Sequence, residues 1–172
     1  MAEDRKWVST KTYGTSEGLA VCYRQWRADR KSGKSEGTKY SRDEIPGCNA
    51  LHGYALSFYF EFESDTLDAR NWVVDFGSLR PLKEFLKESF DHTMLVALDD
   101  PHFKVFENLH DLGLAKMVAV EKTGCEGLSS FLLDYVNEIF LPDHYPSGGQ
   151  EIRCRKVEVR ETPSNSAWTE LT

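Results

Sequence analysis

No stretch of this chain approaches the roughly 18 consecutive apolar residues that a membrane span needs. Its first residues, M-A-E-D-R-K-W, hold none of the apolar run of a secretory leader. No membrane partner is expected, and the reading is of a soluble cytoplasmic protein. Excess positive charge is missing too. The chain has 21 Lys and Arg against 28 Asp and Glu, a net charge of -7, which argues against a broadly basic surface for nucleic acid. Its cysteines, Cys22, Cys48, Cys125 and Cys154, form no C-x-x-C pair, so a structural zinc knuckle has no support, and free thiols are the expectation. Histidine is scarce and late: there are five, and none precedes His52. No internal repeat is present. What remains is a chain of 172 residues, enough for one domain, 1-172, with a real core.

The stretch 19 to 27, L-A-V-C-Y-R-Q-W-R, is rich in branched and aromatic residues and predicts a strand. It is expected to pair with 6 to 12 in a hairpin across Gly14 and Gly18. Residues 28-47 are polar, charged and glycine-rich without apolar periodicity, which predicts a long basic loop. From 53 to 63 the chain alternates, with Tyr54, Leu56, Phe58, Phe60 and Phe62 on one parity, and so predicts a strand with one apolar face. Its expected partner is 71 to 76, N-W-V-V-D-F. Ser78 with Pro81 opens a predicted helix carrying the stripe Leu79, Leu82, Phe85, Leu86 and Phe90, with Asp91-His92 at its end. A short strand over 117 to 120, a second helix over 126 to 140 and a strand over 150 to 161 follow. The last stretch, 162-172, reads as a polar and partly mobile tail. Strands early and helices late predict an α+β domain with two helices on one face of an antiparallel sheet.

The chemistry concentrates in C-N-A-L-H-G-Y, residues 48 to 54. Cys48 follows Pro46-Gly47, on a turn where a ligand can reach a thiol. A thiol works as base or nucleophile in its thiolate form, which a nearby imidazole favours, and His52 and His92 are the candidates. Spacing alone leaves Cys48 equally open to being a bystander. His52 and Tyr54 share a parity, so both leave the sheet on one face. A single histidine there is more often a hydrogen-bonded imidazole than a ligand. A cysteine hydrolase built on Cys48, His92 and Asp91 is the weakest reading, because sequence neighbours do not easily orient one another as a triad requires.

C-N-A-L-H-G-Y resembles the C-x-x-x-H-G-H signature of the 6-carboxy-tetrahydropterin synthases and their 6-pyruvoyl relatives. Three further segments resemble that family in the same order: N-W-V-V-D-F-G-S-L, F-D-H-T-M-L and the closing V-E-V-R-E-T. The resemblance implies a tunnelling fold (T-fold), with a barrel closed by oligomerisation, typically in a hexamer, and active sites at subunit interfaces. It implies a pterin substrate, 7,8-dihydroneopterin triphosphate, and a carbon-oxygen lyase of the route to queuosine and other 7-deazaguanines. By motif, Cys48 would be the catalytic base and Asp91 with His92 a proton relay. Glu161 would anchor the pterin through paired hydrogen bonds, next to Thr162, and Glu126 would add a second contact. The three-residue gap between Cys48 and His52 favours the 6-carboxy type, since 6-pyruvoyl enzymes usually have a longer one.

The family also implies zinc held by three histidines, one in an A-H-R-L-like segment and two in H-G-H. Here Q-W-R-A is read in the first place, so Trp26 and Tyr54 stand for two of the ligands and only His52 remains. The zinc site is therefore expected to be degenerate, and a pterin-binding homologue with altered or lost catalysis is the alternative to a working synthase. Cys22, on the same parity as Trp26, is a candidate for the same side. A triphosphate also needs local positive charge. Between Arg24 and Arg42 stand seven basic residues, Arg24, Arg27, Arg30, Lys31, Lys34, Lys39 and Arg42, against Asp29 and Glu36. A merely solvated charge run is the competing reading. Neutralising Arg30, Lys31 and Lys34 together should weaken binding of the triphosphate measured by titration; unchanged affinity would rule the role out.

Overall fold

The computed structural model describes residues 6-14, 18-28, 45, 47-145 and 150-172. The basic segment predicted over 28-47, with Arg30, Lys31, Lys34, Lys39 and Arg42, lies outside these residues apart from positions 28, 45 and 47. The elements run β1 (Trp7–Tyr13), β2 (Leu19–Tyr23), β3 (His52–Ser64), α1 (Arg80–Phe90), β4 (Thr93–Ala97), α2 (Phe103–Asp111), β5 (Met117–Val120), α3 (Cys125–Tyr135), β6 (Ile152–Thr162) and β7 (Asn165–Glu170). One sheet holds all seven strands in the order β5-β4-β2-β3-β6-β7, with β1 also on β3.

β3 is the spine. Its alternation does what the sequence predicts: Leu56, Phe58, Phe60 and Phe62 are fully buried, each worth about 2 kcal/mol of apolar burial. The same core takes Leu82, Leu86 and Phe90 from α1 and Leu128, Leu132 and Leu133 from α3. Phe85 of α1 stacks on Tyr135 of α3 with ring centroids 3.8 Å apart. The two predicted helices thus cover one face of a largely antiparallel sheet, the α+β arrangement expected. α3 is prolonged by a π turn, Val136–Phe140, and a last turn, Leu141–His144.

Several expectations are corrected. β1 and β2 do not form a hairpin: both pair antiparallel with β3, β1 from Trp7↔Ser64 to Tyr13↔Phe58 and β2 from Leu19↔Leu56 to Tyr23↔His52. The chain runs on along one edge of β3, stepping out between Gly14 and Gly18, where the Gly18 N–H donates to the Gly14 carbonyl at 2.9 Å. Both glycines have positive φ, which is why they resemble hairpin punctuation without reversing the chain. β2 ends at Tyr23, four residues short of the predicted 27. Residues 71 to 76 are not a strand. The Trp72 N–H is taken by Asp68 at 2.9 Å and the Trp72 and Val73 carbonyls by the Gln150 side chain, leaving β6 as the partner of β3.

The sheet is also not wholly antiparallel, because β2 to β4 and β4 to β5 pair in parallel. β4 passes unnoticed in sequence because all five of its residues are buried, the unbroken pattern of a parallel strand. The polar tail holds β7, paired with β6 from Lys156↔Glu170 to Thr162↔Asn165. No helix is long and apolar enough to cross a membrane among the described residues.

A Cβ on Gly18 would lie 2.4 Å from the Ala55 Cβ at φ +67°, whereas one on Gly113, at φ +70°, meets nothing within 4 Å. Gly113→Ala should therefore cost about 1 kcal/mol from backbone strain alone, and Gly18→Ala at least about twice that, seen as a melting point lower by roughly 4–8 °C. Equal losses in thermal denaturation would contradict the close β2–β3 approach.

Candidate active site

Cys48 lies exposed on the turn that feeds β3. The turn is held from three sides. The Cys48 carbonyl accepts the Gln25 N–H at 2.8 Å. The buried Asn49 donates to the Trp26 carbonyl at 2.8 Å and accepts from Arg24 at 3.1 Å. Arg24 is clasped by Asp100 through two bonds of 2.8 Å each, and its carbonyl accepts the Thr123 hydroxyl at 2.8 Å. The ends of β2, β4 and β5 together thus fix where the Cys48 backbone stands.

His52 opens β3. A carbonyl can only accept, so the Ala50 oxygen at 2.6 Å puts the proton of the neutral ring on Nδ1. Nε2 is then the acceptor, and the Tyr54 hydroxyl lies 3.1 Å from it. Across the sheet, Tyr23 pairs with His52, and the three rings form a triangle: Tyr23–His52 5.9 Å, Tyr23–Tyr54 5.4 Å and His52–Tyr54 5.0 Å between centroids. The residue opposite His52 is therefore Tyr23. Trp26 lies three residues on, in a short turn outside β2, with its indole N–H donating to Asp99 at 2.9 Å. Cys22 pairs with Gly53 and leaves the sheet on the face opposite Tyr23.

Tyr23 is fully buried and its hydroxyl donates to Glu161 near the end of β6. Cys125, first residue of α3, is buried beside the same carboxylate. Burial first, and then the Glu161 and Glu126 charges, push the Cys125 thiol up to about 12. Burial and then Glu161 also drive the Tyr23 phenol far above its ordinary range. Tyr54 is raised by desolvation and the acidic groups around it. The cluster is one carboxylate, Glu161, beside the Tyr23 hydroxyl and the aromatic rings of Tyr23, His52 and Tyr54.

Other predicted residues fall elsewhere. Asp91 and His92 sit at the entry to β4, where the His92 N–H donates to the Ala20 carbonyl at 2.7 Å and Asp91 accepts the Ala20 N–H at 3.2 Å. Ala20 is three residues from Tyr23, about 10 Å along the strand. Contrary to the expectation for sequence neighbours, Asp91 does meet the His92 Nδ1, at 3.0 Å, because His92 adopts φ 56°. The His92 side chain is 84% exposed, outward from the Cys48 pocket. Thr162 spends its hydroxyl on the Ser164 and Asn165 N–H groups of the β6–β7 turn. Glu126 is exposed and lines a separate cleft of about 460 Å³ with Lys122 and Phe131. Arg24 and Arg27, read as phosphate ligands, are paired with Asp100 and Asp99. Sequence reasoning missed Tyr23 as a member of the site; its parity with Leu19 and Val21, counted against His52, is the signal that could have found it.

The model of the family described as 6-pyruvoyl tetrahydropterin synthase matches residues 15–171. The chain belongs to that family. A protein of Aquifex aeolicus named 6-carboxy-5,6,7,8-tetrahydropterin synthase is 26% identical over 167 residues, 94% of this chain and 96% of that one. Among solved structures, an uncharacterized protein of Wolinella succinogenes superposes with a TM-score of 0.70 at 21% identity, covering 96% and 98% of the two chains. The Caenorhabditis elegans 6-pyruvoyl tetrahydropterin synthase superposes with a TM-score of 0.59 at 14% identity, covering both chains in full. These likenesses carry the fold of the synthase family, the T-fold of the sequence reading.

The synthase family implies zinc on three histidines. Around His52 stand two phenols, Tyr23 opposite it and Tyr54 beside it, with the imidazole Nε2 facing the Tyr54 hydroxyl. Among the described residues no three His, Cys, Asp or Glu side chains gather as a metal centre. These residues do not fit a three-histidine zinc ion.

Asp100→Ala should leave the 15%-exposed Arg24 guanidinium without its carboxylate and cost about 3 kcal/mol or more. It should also speed modification of Cys48 by a thiol reagent in the folded protein as the turn loosens. Unchanged melting and unchanged reactivity would contradict the clasp.

Proposed function

We propose that this chain binds a reduced pterin against Glu161 and acts on its side chain as a synthase of the 6-carboxytetrahydropterin type. Its substrate in this reading is 7,8-dihydroneopterin triphosphate and its setting the route to 7-deazaguanines such as queuosine. The observation that carries the reading is the Glu161 carboxylate, held by the Tyr23 hydroxyl. A carboxylate has about four lone-pair sites, and this one donor leaves room for a ring N–H and its adjacent amino group. That paired geometry suits the pyrimidine edge of a pterin, and the half-buried Tyr54 ring offers it a flat face.

In this reading Cys48, exposed at the turn, takes a proton from the pterin side chain as general base. Asp91–His92, turned outward on each chain, serves the pocket of a neighbouring copy, as a hexamer with interfacial sites requires. His92 returns protons there, oriented by the Asp91 carboxylate. The name of the Aquifex relative and the short gap between Cys48 and His52 favour the 6-carboxy over the 6-pyruvoyl product. No step is assigned to a metal. The two phenols beside His52 favour a second reading, a pterin-binding homologue whose catalysis is altered.

Incubation with 7,8-dihydroneopterin triphosphate, followed by chromatography, should yield a new pterin, with water consumed and with release of triphosphate and of the two outer side-chain carbons as a two-carbon aldehyde. Cys48→Ala should lower turnover by about 10²–10⁴ with pterin affinity kept, and Glu161→Gln should weaken pterin binding about tenfold or more. Tight binding without turnover would select the second reading, and no pterin binding at all would defeat both.

A further inference from the structure

The segment H-G-Y, which resembles the family's H-G-H, and the residue opposite its histidine on β2 bring one imidazole and two phenols together. Tyr23 faces His52 across the β2–β3 pairing, and Tyr54 follows His52 on the same face of β3. The three rings stand 5.0 to 5.9 Å apart, and one hydrogen bond joins His52 to Tyr54. The His52 Nδ1 is committed to the Ala50 carbonyl at 2.6 Å, and the Tyr54 hydroxyl stands 3.1 Å from Nε2, where an ion would have to sit. The Tyr23 hydroxyl is turned onto Glu161. Zinc needs three or four imidazole, thiolate or carboxylate donors converging on one point. Here one imidazole converges on a hydroxyl.

We infer that the hydrogen-bonded pair His52–Tyr54, with Tyr23 packed against both rings and its hydroxyl turned away onto Glu161, replaces the zinc site: the Tyr54 hydroxyl occupies the ion's place at the His52 Nε2 and zinc is excluded. The inference rests on the pterin-pocket reading for what the cluster serves: a pterin side chain meets a phenol that can donate or accept, in place of a Lewis acid. Tyr54 is then the residue that positions His52 and sets which side chains the pocket accepts. Binding is independent of chelators.

The test is zinc titration against a chromophoric chelator on the full-length protein, with reduced-pterin binding followed in parallel with and without EDTA. The wild type should hold less than about 0.1 equivalent of zinc, with the same pterin affinity in EDTA. Tyr54→His restores H-G-H and should tighten zinc at least about tenfold. Tyr23→His with Tyr54→His should approach one equivalent and gain a zinc-dependent rise in melting temperature. If the doubly changed chain does not fold, Tyr54→His, at a half-buried position, still decides the matter. One equivalent of zinc in the wild type, lost in His52→Ala, overturns the inference, as does equal zinc affinity of wild type and Tyr54→His. Failure of the pterin reading looks different: no pterin binding, whatever the zinc content.

Discussion

Tyr23 stands opposite His52 in the antiparallel pairing of β2 with β3, and the pocket depends on that one register. Side chains alternate along a strand, so a slip of one residue would send Tyr23 to the far face and bring Cys22 in its place. The register is anchored by the core-facing residues of the same strands, Leu19 and Val21 on β2 and Leu56 on β3. Because Tyr23 is fully buried, its hydroxyl needs a partner, and Glu161 supplies it from β6 on the other side of β3. Packing of the sheet and presentation of the carboxylate are therefore one event.

The second constraint is charge. An acidic chain that reads as carrying a basic stretch uses its first two members internally: Arg24 on Asp100 and Arg27 on Asp99. Arg24 links the end of β2 to the Cys48 turn and to the exit of β4. A thiol on a surface turn is useful as a base only if it stays in place, and this clasp is what holds the turn. Under the proposed function a neighbouring copy adds Asp91 and His92, which the left-handed backbone at His92 turns out toward solvent.

Much of this was legible in the sequence. The alternation from Tyr54 to Phe62 and the stripe from Leu79 to Phe90 are strong periodic signals. The ordered motifs around Cys48, Asp91, His92 and Glu161 carried the family. What failed has physical causes. Gly14 and Gly18 mark positive φ in a step along an edge, which composition cannot tell from a reversing turn. Thr93 to Ala97 are buried without alternation and so show no period. Trp26, read in the place of a first ligand, lies beyond the end of β2, and the residue opposite His52 is Tyr23. Only pairing with His52 reveals Tyr23. The polar tail pairs with β6 in a hairpin whose partners are 3 to 14 residues apart, where polarity alone says mobile.

The central claim is that Glu161, presented beside Tyr23 and Tyr54, is the anchor of a pterin ring. A crystal structure of the protein with a bound reduced pterin tests it most directly. The account predicts the pyrimidine edge paired with the Glu161 carboxylate, the ring against Tyr54, the pterin side chain directed to Cys48, and the His92 of a neighbouring copy beside it. A pterin seated elsewhere, for instance in the cleft of about 790 Å³ beyond the ends of β4 and β5 lined by Trp26 and Asp99, with the Glu161 carboxylate still bonded to Tyr23 alone, would contradict it.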